Sequence, residues 1–348
     1  MAVPNPQLTA QEAVSSLELL RLATGYWISQ SLSVAAALGI ADALKDGPRS
    51  IEELAAITQT HRPALFRLMR ALASVGVFMH TADGCFDLTP LARPLQRGTL
   101  GSLRALLLQI GSTYRWQPWG ELLHSVRTGD PAFTYLFGSQ VFDYYARHPN
   151  AAALFQEAMS ELASLVAPAV AAAYDFSDVE TVIDVGGGYG ALLTALIQAQ
   201  PHLQGVLFET PTVGAEATRR LEAAGVAARC SVVGGDFFAS VPSGGDVYLL
   251  QFILHDWDDA HALTILRNCH RAMGPQSRLL LMEILIPPDD TPTLGKLLDL
   301  EMLVVCSGRE REESEYCALL ASAGFTYLRT IPTLAPLSIL ESRKSHTF

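Results

Sequence analysis

Residues 181–190 read TVIDVGGGYG and continue into Ala191-Leu192-Leu193-Thr194-Ala195-Leu196. Val182 and Ile183 are β-branched and run into a glycine cluster, and an apolar segment without Gly or Pro follows. The order is strand, tight turn, helix. Glycines let the backbone turn sharply and let a ligand approach with no Cβ in the way. The free N–H groups that open the helix then face that ligand. Nineteen positions after Gly190, Glu209 closes a second apolar run, Gly205-Val206-Leu207-Phe208. An acid in that place is set to take both ribose hydroxyls. Gly186, Gly188 and Ala191 also satisfy the pattern G-x-G-x-x-G/A. The glycines alone therefore leave NAD open, beside other nucleotide cofactors and a turn that binds nothing.

Outward from this stretch the chain alternates strand and helix, which implies a parallel sheet covered on both faces. Strands are expected near 181–185, 205–209, 230–233, 246–251, 278–284, 325–331 and 337–341, with clear helices over 215–224 and 259–273. Only Pro332 to Pro336 separates the last two strands, too short for a crossover. They must form a hairpin, so one of them runs against the rest. NAD-binding sheets do not usually end this way, which turns the reading away from a dehydrogenase.

Several residues on this sheet could do chemistry. Asp236 and Phe237 follow the third strand, placed for an adenine amino group and ring face, although an aspartate there also suits a plain turn. His255 emerges after a long buried strand, in FILHDWDD, beside the nucleotide site. A neutral imidazole at that edge is a natural general base, against the alternative of a histidine merely bonded to local carboxylates. Glu283 stands inside the apolar run Leu279 to Ile286, and Glu310 lies in Gly308-Arg309-Glu310-Arg311. Two acids flanking a histidine would orient it and favour its cationic form. No metal is expected: His255, His261 and His270 lack i, i+4 spacing, and no other residues complete a ligand set.

The rest of the chain sets bounds. Its 348 residues suggest two domains, and 49% hydrophobic residues allow a large core. The formal net charge is −11. The first hundred residues are balanced, so the excess lies beyond them and argues against nucleic acid as a partner. Five scattered cysteines without a C-x-x-C pair read as thiols of a reducing compartment. No signal peptide and no run of 18 apolar residues is seen, so a soluble cytoplasmic protein without a membrane partner is expected.

Before the sheet, Gln11 to about Leu44 is helical and apolar on more than one face, as if made for a partner surface. Ser50 and Glu53 form a capping box, a second helix runs from about Pro63 to Val75, and two short strands flank Ala82-Asp83-Gly84. That outline is a winged helix. Its second helix carries Arg67 and Arg70, but the region is neutral and has no basic wing, so dimerisation is favoured over DNA binding. Residues 101–175 are expected to be a helical linker rich in aromatics, some of which wall an apolar pocket.

DVGGGYG, GDFF, LHDWDD, LLLMEILIP and GREREESEY-ALLASAGF stand in an order and spacing that closely resemble the small-molecule O-methyltransferases using S-adenosylmethionine. LGIADAL…SIEELAA…LFRLMRALASVGVF resembles the winged-helix dimerisation domain of the same family. The resemblance implies an α/β fold: a Rossmann-like seven-stranded sheet with a reversed last strand over 176–348, and a mostly α dimerisation domain over 1–100. It implies that Asp184, Gly186, Gly187 and Gly188 hold the methionine end of the cofactor, Glu209 the ribose, and Asp236 with Phe237 the adenine. Gln251 and Trp257 would lie beside the adenosine, Gln251 where the plant enzymes have Lys. His255 matches the base, bracketed by Glu283 and Glu310. Trp116, Phe133, Phe142, Met159, Asp256, Met302 and Cys306 would line the pocket for a flat, small-molecule acceptor, in a homodimer. N- or C-methylation, a non-methylating use of the scaffold and a DNA-binding regulator are the rival readings.

Overall fold

A computed structural model describes residues 9–345. The chain divides into two compact units, one through Ser112 and one from Thr113. The helical stretch expected as one linker region is thus shared between them.

The first unit opens with α1 (Ala10–Ala23), α2 (Gly25–Leu38) and α3 (Ile40–Ala43). The sequence pattern suggested one continuous helical run. It is broken at Thr24 and again at Gly39, whose φ of +66° suits glycine and ends α2 in the left-handed region. The helices α4 (Ile51–Thr58) and α5 (Arg62–Ser74) follow. The capping box forms as expected: Glu53 N–H donates to Ser50 Oγ at 3.2 Å, and Ser50 N–H to Glu53 Oε2 at 2.7 Å. The antiparallel pair β1 (Phe78–His80) and β2 (Phe86–Leu88) makes the wing, and α6 (Arg104–Ile110) packs on α2. The core of this unit is Ile40, Leu44, Leu54, Leu65, Met69, Leu72, Phe78 and Phe86. On α1, by contrast, Val14, Leu17, Leu19, Leu20 and Leu22 are all more than half exposed.

The second unit begins with five helices: α7 (Thr113–Gly120), α8 (Leu122–Thr128), α9 (Ala132–Phe137), α10 (Val141–Arg147) and the long α11 (Pro149–Ala173). The α/β part then runs β3 (Thr181–Val185), α12 (Ala191–Ala199), β4 (Gln204–Glu209), α13 (Pro211–Ala223), β5 (Cys230–Gly234), β6 (Val247–Gln251), α14 (Asp259–Ala272) and β7 (Arg278–Glu283). It closes with α15 (Leu294–Val305), α16 (Glu313–Ser322), β8 (Phe325–Pro332) and β9 (Ser338–Lys344).

The seven strands lie in the order β5-β4-β3-β6-β7-β9-β8. The reversed strand is β9, which pairs antiparallel with both β7 and β8. The strand period of two sorts the apolar runs onto two faces. Val182, Leu207, Leu249, Leu280 and Met282 pack with residues of α11, α12 and α13. Ile183, Val185, Phe208, Tyr248, Leu250, Leu279 and Leu281 pack with α14 and α16. Because both faces are covered, the strands read as continuous apolar runs. The order reverses between β3 and β6, so their carboxyl ends open onto the crevice where such sheets bind ligands. Among the described residues no helix is long and apolar enough to cross a membrane.

Candidate active site

The carboxyl end of β3 becomes the glycine turn. Gly186, Gly188 and Gly190 take φ of +73°, +58° and +78°, a region an L side chain avoids. A Cβ on Gly186 would also stand 2.7 Å from Ile253 Cδ1 and 3.4 Å from Phe237 Cε1, and one on Gly188 3.1 Å from Gln156 Oε1. Asp184 sits under this turn. Both of its carboxylate oxygens are buried without a hydrogen-bond partner. Burial, with the nearby Glu209 charge, pushes its pKa up to about 7. Glu209 ends β4 and leans over the turn, accepting from Gly188 N–H at 3.1 Å and Thr210 N–H at 2.7 Å. Asp236 holds its own turn, accepting from Phe238 N–H at 2.8 Å.

The carboxyl end of the neighbouring β6 carries Gln251, whose Nε2 is buried without a partner. Phe252 then adopts φ of +52°, a costly conformation for a non-glycine residue. It ends the strand and leads into the short 3₁₀ turn Leu254–Asp256 that carries His255. The Phe252 ring stacks on the imidazole, with centroids 5.6 Å apart.

His255 is buried among three acids. Its Nδ1 lies 2.7 Å from Glu310 Oε1 and 4.0 Å from Glu283 Oε2, and its Nε2 lies 3.7 Å from Asp256 Oδ1. An ionised carboxylate only accepts, so the Nδ1 proton belongs on the imidazole and Nε2 is the edge free to gain or lose one. Burial alone would lower the histidine pKa, but Asp256, Glu283 and Glu310 together raise it to about 10. Glu283 is held up to about 8, chiefly by burial, with the His255 charge opposing. Its Oε1 accepts from Leu254 N–H at 3.0 Å, which ties β7 to the turn. His255, Glu283 and Glu310 each offer an atom within 4.8 Å of the others, a grouping that could be read as metal ligands. Within that group the Nδ1–Oε1 contact of His255 and Glu310 has hydrogen-bond length, 2.7 Å.

Within the second unit, Trp257 lies between the helical part and the α/β part. It stacks on Phe142 at 5.3 Å and meets Phe238 edge-on at 4.7 Å and Phe237 at 6.2 Å. Phe142, Asp256, Trp257 and Cys306 line one small cleft with Val141 and Val305. Four residues expected in the pocket stand outside that lining. Phe133 is fully buried against Phe137 and Tyr144, a core side chain of the helical part. Met302 is buried behind Cys306, its sulfur 3.7 Å from that thiol, while Trp116 and Met159 are half-buried on α7 and α11. Their apolar spacing could not tell core from pocket. Ile253, Gln156 and Phe252, which crowd the glycine turn and the imidazole, carried no signal in the sequence beyond their neighbours.

Residues 119–326 match the O-methyltransferase domain family, and residues 20–97 match the O-methyltransferase dimerisation domain. The chain is 48% identical to a phenazine O-methyltransferase of Lysobacter antibioticus, over 93% of this chain and 95% of that protein. It is 40% identical to the O-demethylpuromycin-O-methyltransferase of Streptomyces alboniger, over 97% and 90%. An 8-amino-8-demethylriboflavin N,N-dimethyltransferase of Streptomyces davaonensis is 35% identical over 90% of each chain. Among solved structures, an O-methyltransferase of neocarzinostatin biosynthesis in complex with S-adenosylmethionine and 2-hydroxy-5-methyl naphthoic acid superposes with a TM-score of 0.76 at 33% identity, covering 91% of this chain and 96% of that one.

Proposed function

This chain belongs to the S-adenosylmethionine-dependent O-methyltransferases that carry an N-terminal dimerisation domain, enzymes acting on small natural-product acceptors, and from that premise we propose that it methylates a phenolic hydroxyl of a flat aromatic acceptor with His255 as general base. The observation that carries this reading is the buried His255–Glu310 pair, which follows β6 at the sheet's switch point, with Nδ1 taken up by Glu310 and Nε2 3.7 Å from Asp256, a residue that lines the cleft.

The residues present fit the cofactor. A Cβ at Gly186 or Gly187 would crowd its neighbours, and two buried polar groups nearby, the Asp184 carboxylate under the turn and Gln251 Nε2 at the end of β6, have no partner among the described residues. Buried polar groups are usually completed by a partner, and a bound ligand is one such partner. When bound, S-adenosylmethionine supplies an electrophilic methyl group on a positively charged sulfur. Asp184 and Gly186 to Gly188 would hold its methionine end, and Glu209, already oriented by the Gly188 N–H, would take the ribose. Asp236, Phe237, Gln251 and Trp257 would surround the adenine side.

The acceptor hydroxyl is then the group that needs help. A phenol has a pKa of about 10 and is almost wholly protonated at neutral pH. The acids around His255 raise the imidazole to about 10 as well. The raised basicity narrows the gap between the imidazole and the phenol. Such a positioned base contributes ~10²–10⁴-fold. The Nδ1–H bond to Glu310 keeps the ring from turning and supports the imidazolium as it forms. Because the resting ring holds a proton below its raised pKa, turnover should climb as pH rises toward the alkaline side.

The N-methylating relative favours one second reading, an aromatic amine as acceptor. Incubation with a hydroxyphenazine and with an aminophenazine separates them. A methoxy product supports the proposal, an N-methyl product supports the second reading, and a converted acceptor without an added methyl overturns both. The exposed apolar face of α1, which runs into the stretch from residue 20 that matches a dimerisation domain, supports a homodimer. The five free cysteines suit the reducing cytoplasm.

A further inference from the structure

We propose that Arg311 is a positioning residue for methyl transfer: it fixes the turn that presents His255, and so sets the ring against Glu310. The inference rests on the reading of His255 as the base.

Arg311 is the largest fully buried side chain of the described residues, and a guanidinium is seldom buried without a purpose for each of its donors. Nη1 donates to Leu254 O at 3.0 Å and to Arg309 O at 3.3 Å. Nη2 donates to Trp257 O at 2.8 Å. Nε and Nη2 share Asp259 Oδ1 at 3.1 and 2.8 Å, which balances the charge. Two of these bonds bracket His255, one on the carbonyl before it and one on the carbonyl two residues after. Glu283 holds the N–H of the same Leu254. The backbone on either side of the imidazole is therefore gripped by side chains from two other segments.

Arg311 is itself anchored. Its C=O accepts from Ile286 N–H at 3.2 Å, next to the bridge between Leu285 and Arg311. Gly308 presses on the same turn so closely that a Cβ there would stand 1.9 Å from His255 O and 2.8 Å from Asp256 Cα. Residues 308–311 thus form one strip with three tasks: Gly308 allows the contact, Glu310 takes the ring N–H, and Arg311 takes the backbone carbonyls. Ring and backbone of His255 are held by two consecutive residues, so the distance between imidazole and carboxylate is set within a single rigid piece. Only a planar fork can reach carbonyls 254 and 257 and a carboxylate together; a lysine has one nitrogen and cannot span them.

The test compares Arg311→Lys with Arg309→Gln, a half-exposed neighbour that pairs with the same Asp259. Calorimetry with S-adenosylhomocysteine, steady-state kinetics on a hydroxyphenazine and the NMR signal of the His255 Nδ1–H are read for each. For Arg311→Lys we expect folded protein, S-adenosylhomocysteine affinity and KM within about threefold of wild type, kcat down ~10²-fold, and an Nδ1–H signal that is lost or shifted, since a ~1 Å misplacement costs about that much. Arg309→Gln should leave all readouts in place. A normal kcat and an unmoved Nδ1–H signal in Arg311→Lys overturn the proposal. So does a loss of kcat matched by an equal loss of cofactor affinity with the ring signal intact, the mark of a merely structural role. If the lysine variant does not fold, Arg311→Gln takes its place, keeping a planar amide able to bond one carbonyl. The same signals are then read, and the same two results overturn the proposal. His255→Asn separates the two claims: turnover surviving there sinks the base itself, whereas an inactive His255→Asn beside an unaffected Arg311→Lys sinks this inference alone.

Discussion

Replacing Glu310 with Gln removes the charge nearest the imidazole and leaves the side chain's shape. The contact is a buried, charge-assisted hydrogen bond of 2.7 Å. Bonds of this kind contribute about 1.5–3 kcal/mol, and about 1.4 kcal/mol corresponds to one pH unit. The substitution should therefore lower the His255 pKa from about 10 by roughly one to two units. Two consequences follow for the pH–rate profile. Its rising limb moves to lower pH, because the ring sheds its resting proton earlier. Its alkaline plateau falls, because a weaker and less firmly held base loses part of the ~10²–10⁴-fold it supplies. Titration of the ring carbon and nitrogen shifts by NMR gives the pKa, and kcat over pH 6 to 10.5 gives the limb and plateau. A His255 that titrates at the same pH in both proteins would refute this reasoning, as would a limb and plateau that both stay where they were.

The same raised pKa has a stability signature of definite sign. His255 is protonated more readily when folded than when unfolded, so its contribution is complete below about 6.5 and is lost as pH rises toward about 10. Unfolding free energy should fall across that window with a slope of up to about 1.4 kcal/mol per pH unit from this group, and His255→Asn should flatten the slope in urea titrations. Gly186→Ala places a Cβ 2.7 Å from Ile253 Cδ1 at a φ of +73°. The backbone strain of about 1–2 kcal/mol falls on the protein with or without cofactor, so the unfolding free energy in urea should drop by that amount, and a turn that shifts to relieve the clash should bind S-adenosylhomocysteine more weakly by calorimetry, with the far-ultraviolet dichroism unchanged. Leu17→Glu combined with Leu20→Glu puts charge on the exposed face of α1 and should shift sedimentation from dimer to monomer; a species already monomeric in the wild type would end the dimer proposal.

Much of the fold was legible because parallel strands covered on both faces must be apolar throughout, and the five-residue gap before the last strand left no room for a crossover. The runs around Ile183, Leu249 and Leu280 carried that signal. Helix breaks were harder to read. The first falls at Thr24 beside Gly25, but a lone glycine inside a helical pattern is often tolerated, and an unpartnered amphipathic face has no inner contacts to fix its period. At the site, the titratable groups were visible because a carboxylate inside a run such as Leu279 to Ile286 needs an explanation. Their arrangement was less so. Arg311 was invisible as a determinant because its partners are main-chain carbonyls some 55 residues upstream, which no spacing rule reports. Phe133 shows the converse failure: an aromatic among aromatics, it joins the core of the helical part, and composition could not separate it from Phe142, which reaches the cleft.

The proposed chemistry turns on whether Nε2 of His255 takes the proton of the acceptor. A single-turnover comparison of wild type and His255→Asn, both saturated with S-adenosylmethionine and mixed with a hydroxyphenazine, isolates that step from binding and release. The expected first-turnover rate is at least ~10²-fold slower in the variant, with cofactor affinity unchanged. A variant that methylates the hydroxyl at the wild-type rate would contradict the assignment of His255 as the base.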